Sequence, residues 1–397
     1  MKLEIQRFDH FGRGITYWQD KICFVIDALP QEIVEAHIIS DKKKYQVAVV
    51  DSYLKTSSQR MEPDCPFFRE CGGCDLRHIG FDDENQFKMQ KMVEVMRQYG
   101  RISSDLIQPI IFDSENYYRN KIVLHSNHRH LGFYGKNSHD IISINHCLLI
   151  DKRMQDIVSL LQGYADKIDD VMIRISNDKK YILLSLNGNI VDCSFLIDCV
   201  DFLYLNGTLI KGKEPFISPI GNFSFVVGLN SFFQVNRTLT KELYDKVLSY
   251  VSNIKPTLLL DLYCGSGTIG IYVHSFCKRV IGVECNPSNI LDAHQNAKLN
   301  QVSNIEFIEN RVENVISQFN NFDCVIVDPP RVGLDSKTRN VLKSSRTSYI
   351  IYVSCDPVTL ARDLKALQEF YKVIEITPFN MFPRTFHVES ICVLKLK

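Results

Sequence analysis

Cys355 stands in IIYVSCDPVTL, directly before an Asp-Pro pair that reads as a helix start. A thiol near a helix N-terminus is placed for nucleophilic attack, since the helix end favours the thiolate, although the adjacent Asp356 opposes this. Asp328 lies in IVDPPR, at the end of an apolar strand-like run, the edge at which open α/β sheets take their ligands. Near the C-terminus, FPRTFHVESICVLKL supplies Glu389, a carboxylate suited to a general base when partly buried. Period-2 alternation over HVESICV would put His387 on the same face. A thiol and a carboxylate base together point to covalent catalysis.

A ligand loop precedes them. Residues 260–268, LDLYCGSGT, read as a buried strand, a Gly-x-Gly turn and a helix start, and Gly270 completes a G-x-G-x-x-G pattern. Glycines there let backbone amides at the helix start approach a ligand closely. The next strand, VIGVE, ends in Glu284, where a ribose's hydroxyls would be accepted, and Asn286-Pro287 caps another helix. NAD and S-adenosylmethionine both fit this loop. The downstream motifs favour the second. Amino-directed nucleic-acid methyltransferases follow a D/N-P-P motif with an aromatic that stacks on the base, whereas Arg331 follows here. An attacking cysteine is needed to methylate a pyrimidine carbon, not a nitrogen.

The stretch CPFFRECGGC presents Cys65, Cys71 and Cys74 at C-x5-C-x2-C spacing, which reads as a ligand set. A fourth ligand could be Cys147, His78, His125 or His146. Zinc sites usually bring paired C-x2-C knuckles, while iron–sulfur clusters accept asymmetric sets, and the spacing leaves both open. Thirteen cysteines, an odd number, argue against a disulfide framework and for a reducing, cytoplasmic compartment.

These residues need a multidomain frame, for which 397 residues suffice. No apolar run approaches a membrane span, and MKLEIQRFDHFGRG lacks the apolar core of a secretory leader. With 46 basic and 46 acidic residues, composition alone announces no polyanion partner. Locally, residues 116–138 carry Arg119, Lys121, Arg129 and Lys136 among Tyr117, Tyr118, Phe133 and Tyr134 with no acidic residue, a pattern suited to RNA. Residues 1–58 show short alternating strands, predicting an OB-like β-barrel, and 57–64 a polar linker. A helix capped by Asp82 or Asp83 should run to Gly100. Residues 59–235 are expected to form a central α+β domain. Residues 236–397 alternate strand and helix, predicting a Rossmann-like parallel α/β sheet with one terminal antiparallel strand.

In combination, LDLYCGSGTIG, IVDPPRVGL, YVSCDPVTLARDL and PRTFHVESICVLKL resemble the RNA uracil-5-methyltransferases that use S-adenosylmethionine. CPFFRECGGC with INHCLLI resembles the 23S ribosomal RNA branch, which carries a [4Fe-4S] cluster, and FGRGITY with KKKYQVAVV resembles the RNA-binding TRAM domain. The resemblance implies Cys355 as nucleophile and Glu389 as the base that takes the C5 proton. It implies Gln234, Tyr263, Glu284, Asn310 and Asp328 as cofactor-binding residues, and Cys65, Cys71, Cys74 and Cys147 as cluster ligands. The implied protein is a monomer whose partner is a single-stranded or looped uridine of 23S rRNA. Departures are Thr268, where relatives carry asparagine, and Asp356, where they carry it too. Transfer RNA as substrate and a non-catalytic RNA-binding factor are the rival readings.

Overall fold

A computed structural model, which describes residues 1–397 other than 191, 214 and 320, shows the C-terminal alternation as one seven-stranded sheet. Its strands are β1 (Leu258–Leu262), β2 (Arg279–Glu284), β3 (Ile305–Glu309), β4 (Cys324–Val327), β5 (Tyr349–Ser354), β6 (Tyr371–Phe379) and β7 (Glu389–Leu396). The spatial order is β3-β2-β1-β4-β5-β7-β6. β1 to β5 pair in parallel, and β7 runs antiparallel to both neighbours. The expected antiparallel strand is therefore present, but inserted between β5 and β6 rather than added at the edge. Strands covered on both faces need continuous apolar runs, which is what CVIV of β4 and YIIYVS of β5 supply.

The accompanying helices are α1 (Leu239–Ile254), α2 (Thr268–Val273), α3 (Pro287–Leu299), α4 (Val312–Val315), α5 (Ser336–Ser345) and α6 (Pro357–Leu367). Their starts are written locally. Asn286 accepts the Ser288 amide at 2.9 Å, Asp335 those of Lys337 and Thr338, and Asp356 that of Thr359 at 2.8 Å. Each such cap stabilises its helix by about 1 kcal/mol. Strand order reverses beside β1, so a crevice opens at the carboxyl ends of β1 and β4, where the ligand motifs lie.

Contacts divide the chain into two units: residues 1–91, 134–142 and 384–386, and residues 92–133, 143–383 and 387–397. The second unit also holds the strands Lys121–Ser126, Ile168–Ile175, Ile182–Gly188, Phe202–Leu205 and Thr208–Lys211, hydrogen-bonded in one sheet. The first unit carries a six-stranded sheet from Lys2–Glu4 to Tyr45–Lys55, cored by Cys23, Val25, Val34, Ala36 and Ala48. Two of its strands, Lys2–Glu4 and Arg7–Phe8, are too short for alternation to reveal. The stretch 57–64 differs from a free polar linker: Arg60 clamps the fully buried Glu32 through Nε at 2.5 Å and Nη2 at 2.8 Å, beneath the Tyr53 ring.

The helix Phe81–Val95 starts one residue before the expected caps, so Asp82 and Asp83 occupy its first turn and complement its dipole there. It continues as a wider π turn over Met96–Gly100, and Arg101, not Gly100, takes the left-handed closing conformation at φ 54°. No helix among the described residues is long and apolar enough to cross a membrane.

Candidate active site

A cavity of about 690 Å³ opens at the carboxyl ends of the strands. Gln234, Tyr263, Glu284, Asn310 and Asp328 all line it, and so do Cys355 and Glu389. All seven belong to one unit. Residues far apart in the chain meet because strand tips and the turns after them share one edge of the sheet.

Three residues of the loop after β1 adopt the left-handed region. Gly265 sits at φ 55° and donates its amide to Glu284 at 3.2 Å. Gly267 sits at φ 75°, and a Cβ there would meet the Phe307 ring at 2.7 Å. Tyr263, a side-chain-bearing residue, also adopts the left-handed region, at φ 63°. Beneath the loop, the buried Asp261 accepts the Gly270 amide at 2.9 Å, and burial pushes its carboxyl up to about 7. Glu284 also accepts the amides of Cys285 and Asn286, each at 2.8 Å, which fixes its carboxylate at the tip of β2. Asn310 is held to the same tip by its amide, donated to the Glu284 carbonyl at 2.9 Å. Thr268 turns inward, its hydroxyl 2.7 Å from that of Tyr244.

The reacting end lies where β4, β5 and β7 finish. Ser354 of β5 pairs with Ser390 of β7, so Cys355 and Glu389 are the next residues along on the two strands. After Asp328, the Pro329–Leu334 loop is pinned by α6. Thr359 donates to the Arg331 carbonyl at 3.1 Å, Arg362 to that of Val332 at 2.9 Å, and Asp363 accepts the Leu334 amide at 2.8 Å. Arg331 is thereby directed at His387, Nη2 to Nε2 at 3.5 Å. β7 begins at Glu389 rather than at His387, yet both side chains line the cavity.

The thiol departs from its expected tendency. Burial first, then the carboxylates of Glu389 and Asp328, push Cys355 up to about 12, with Arg331 opposing. The start of α6 does not offset them. Glu389 is raised well above the usual carboxylate range, by burial and by Asp328, against Arg331. Burial raises Asp328 too. A buried carboxyl of high proton affinity is suited to take a proton from a bound substrate.

The cysteine cluster is a separate matter. Cys65, Cys71, Cys74 and Cys147 are all half-buried. Gly73 donates its amide to Cys71 Sγ at 3.4 Å. Against its burial, Cys74 and Asp64 hold the Arg77 guanidinium above its usual range, and Lys136 also feels Cys74 and Cys71. Among the described residues no group of three or more His, Cys, Asp or Glu is arranged to hold a metal ion.

Sequence reading missed several cavity residues: Phe232, Cys285, Asn289, Glu313 and Asp335. Asp335 caps α5 and also accepts the Tyr263 hydroxyl, at 3.5 Å. The π turn and the Arg60 clamp had no local signal.

Residues 221–397 match the family model described as tRNA (Uracil-5-)-methyltransferase. An uncharacterized RNA methyltransferase of Clostridium tetani is 31% identical, over 96% of this chain and 93% of its own length. Another, from Halalkalibacterium halodurans, is 30% identical over 100% of this chain and 97% of its own. Among solved structures, the tRNA (uracil-54, C5)-methyltransferase of Pyrococcus abyssi in complex with S-adenosyl-L-homocysteine has the same fold, with a TM-score of 0.82 at 24% identity over 99% of both chains. Cavity, strand order and full-length similarity agree: this chain belongs to the RNA methyltransferases, and its C-terminal part is similar to the tRNA (Uracil-5-)-methyltransferase family.

Proposed function

We propose that the protein methylates C5 of a uridine in 23S ribosomal RNA with S-adenosylmethionine. The observation that carries the reaction is the meeting of Cys355 and Glu389 in one cavity with Asp328, at the end of the β5–β7 pairing. Bound S-adenosylmethionine supplies a methyl group on a sulfonium, and Gln234, Tyr263, Glu284, Asn310 and Asp328 are the residues that would hold it. Uracil C5 is a poor nucleophile until the ring is saturated at C6. The Cys355 thiolate adds to C6, forming the C–S bond and moving an electron pair into the ring as an enolate. The C5 electron pair then forms the bond to the methyl carbon, the methyl–sulfur bond would break with its pair left on sulfur, and S-adenosylhomocysteine would be the leaving group. Glu389 removes the C5 proton, the ring electrons return, and the C–S bond breaks to release Cys355. To reach the thiol the base must leave its stack, at a cost of a few kcal/mol that a looped strand reduces.

The ribosomal substrate is supported by the resemblance of CPFFRECGGC and of the N-terminal segment to the ribosomal branch. The same resemblance supports three domains, 1–58, 59–235 and 236–397, and a cytoplasmic monomer. It also supports a [4Fe-4S] cluster on Cys65, Cys71 and Cys74, with Cys147 as fourth ligand on the resemblance alone. Iron and acid-labile sulfide near four of each per chain after anaerobic purification would bear this out, and stoichiometric zinc would refute it. No step of the transfer runs through it.

Transfer RNA is the second reading: a tRNA enzyme shares the fold over 99% of both chains, so the fold does not separate the two substrates. Tritium transfer from labelled S-adenosylmethionine to separate pools of unmodified 23S rRNA, 16S rRNA and tRNA distinguishes them. Label recovered as 5-methyluridine from 23S rRNA alone is the expected result. Label in tRNA alone keeps the reaction and overturns the substrate.

A further inference from the structure

Arg174 is 2% exposed, and two of its guanidinium nitrogens, Nε and Nη1, have no hydrogen-bond partner. Its Nη2 donates to the Ser231 carbonyl at 3.2 Å. Its cross-strand partner in the antiparallel pairing is Lys121, so the two cations share one face of the sheet. Arg119, two residues before Lys121, also has a buried Nε without a partner. Among the described residues no carboxylate forms an ion pair with any of the three. The carboxylate Arg174 feels most, that of Asp292, is already engaged by the Ser231 hydroxyl and by the Gly228 amide at 3.2 Å.

A buried, unpaired cation pair is costly, and the cost shows in both groups. Burial pushes Arg174 down to about 10, while burial and then Arg174 push Lys121 down to about 8. An anion at this place would relieve both. Lys121 and Arg119 are half-buried, so one side of the cluster is open to solvent. None of the three cations lines the 690 Å³ cavity. They stand beside its rim instead. Asn120, between Arg119 and Lys121, donates its side chain to the Gln234 carbonyl at 2.9 Å and its backbone amide to the Val235 carbonyl at 2.9 Å. That segment carries Gln234 and the exposed Phe232, both cavity residues.

We propose that Arg119 and Lys121, backed by Arg174, form a seat for one backbone phosphate of the RNA strand next to the target uridine. The proposal rests on the RNA-methylation reading above. An anion outside the cofactor cavity but against its rim is what a polynucleotide entering that cavity would present. Phosphate contacts fix register without reading sequence, so the seat would position the strand and not choose the base.

The test is binding of a fluorescein-labelled oligouridylate to the full-length protein across a KCl series, by anisotropy. In Lys121→Gln the oligonucleotide should bind several-fold more weakly, and the slope of log K against log [KCl] should fall by about 0.7 to 1, the loss of one phosphate contact. S-adenosylhomocysteine affinity, measured by calorimetry, should stay at the wild-type value. Arg174→Lys, which keeps the charge, should keep the wild-type slope. Unchanged affinity and slope in Lys121→Gln would overturn the seat. An equal loss of S-adenosylhomocysteine affinity would also overturn it, by assigning the cations to the cofactor. Failure of the methylation reading would appear elsewhere, as wild-type protein that labels no RNA pool, and would leave the slope comparison to decide the seat.

Discussion

Cys355 and Glu389 stand one step beyond the last register pair of β5 and β7, Ser354 opposite Ser390. The antiparallel insertion of β7 beside β5 brings a thiol and a carboxyl 34 residues apart in the chain to one cavity wall. A parallel strand in that place would present its other end at this edge. Because the two positions are set by backbone pairing, either side chain can be changed without moving the other.

Cys355→Ala should abolish methylation while leaving S-adenosylhomocysteine affinity within about twofold of wild type. Activity assay and calorimetry on the same preparation check this. Residual turnover near the wild-type rate would remove the covalent route.

Burial and two neighbouring carboxylates hold the Cys355 thiol up to about 12, so in the ligand-free protein it should react slowly with iodoacetamide at pH 8. A cation placed among Cys355, Asp328 and Glu389 lowers the cost of the thiolate. S-adenosylmethionine should therefore speed alkylation of Cys355, followed by mass spectrometry of its peptide, more than S-adenosylhomocysteine does. The two ligands differ little in size, so equal rates would mean that the sulfonium charge does not reach the thiol.

Asp261 is buried, with a carboxyl raised to about 7 from an ordinary 3.8. The folded state holds the proton more tightly than the unfolded chain. Its contribution is thus fully present below about pH 4 and is lost as pH rises toward 7. Asp261→Asn should leave stability near pH 4 unchanged and raise it at pH 8, on the order of 1–3 kcal/mol. Denaturant midpoints at the two pH values test the sign, and an advantage confined to low pH would contradict it.

Gly267→Ala should destabilise the loop by roughly 1–3 kcal/mol, because φ 75° disfavours a side chain and the added Cβ meets the Phe307 ring at 2.7 Å. Cofactor affinity should fall with it. Thermal melting with and without S-adenosylhomocysteine would show both effects, and wild-type values in both would show that the loop gives way freely.

What was legible in the sequence is what local physics dictates. The Asn286-Pro287 and Asp356-Pro357 helix starts, the glycine turn and the buried strands follow from spacing and residue type, whereas Gln234, Tyr263 and Asn310 were named only through the family resemblance. The strand start at Glu389 was not legible, since Val388 continues the alternation that pairing does not. Nor was the state of Cys355. Its helix-end position suggested a lowered proton affinity, but Glu389 and Asp328 reach it only through the sheet, and burial adds to them. Arg174 was invisible for the same reason: Ile173 and Ile175 make its strand look like core, and only the register with Lys121 shows two cations together.

The most direct test of the central claim is Glu389→Gln, incubated with S-adenosylmethionine and unmodified 23S rRNA and run on a denaturing gel. If Cys355 adds to C6 and Glu389 takes the C5 proton, the methylated base cannot leave. A protein–RNA adduct should then survive denaturation, and it should disappear when Cys355→Ala is added to the same chain. Full turnover by Glu389→Gln with no adduct would contradict the account and place the base elsewhere.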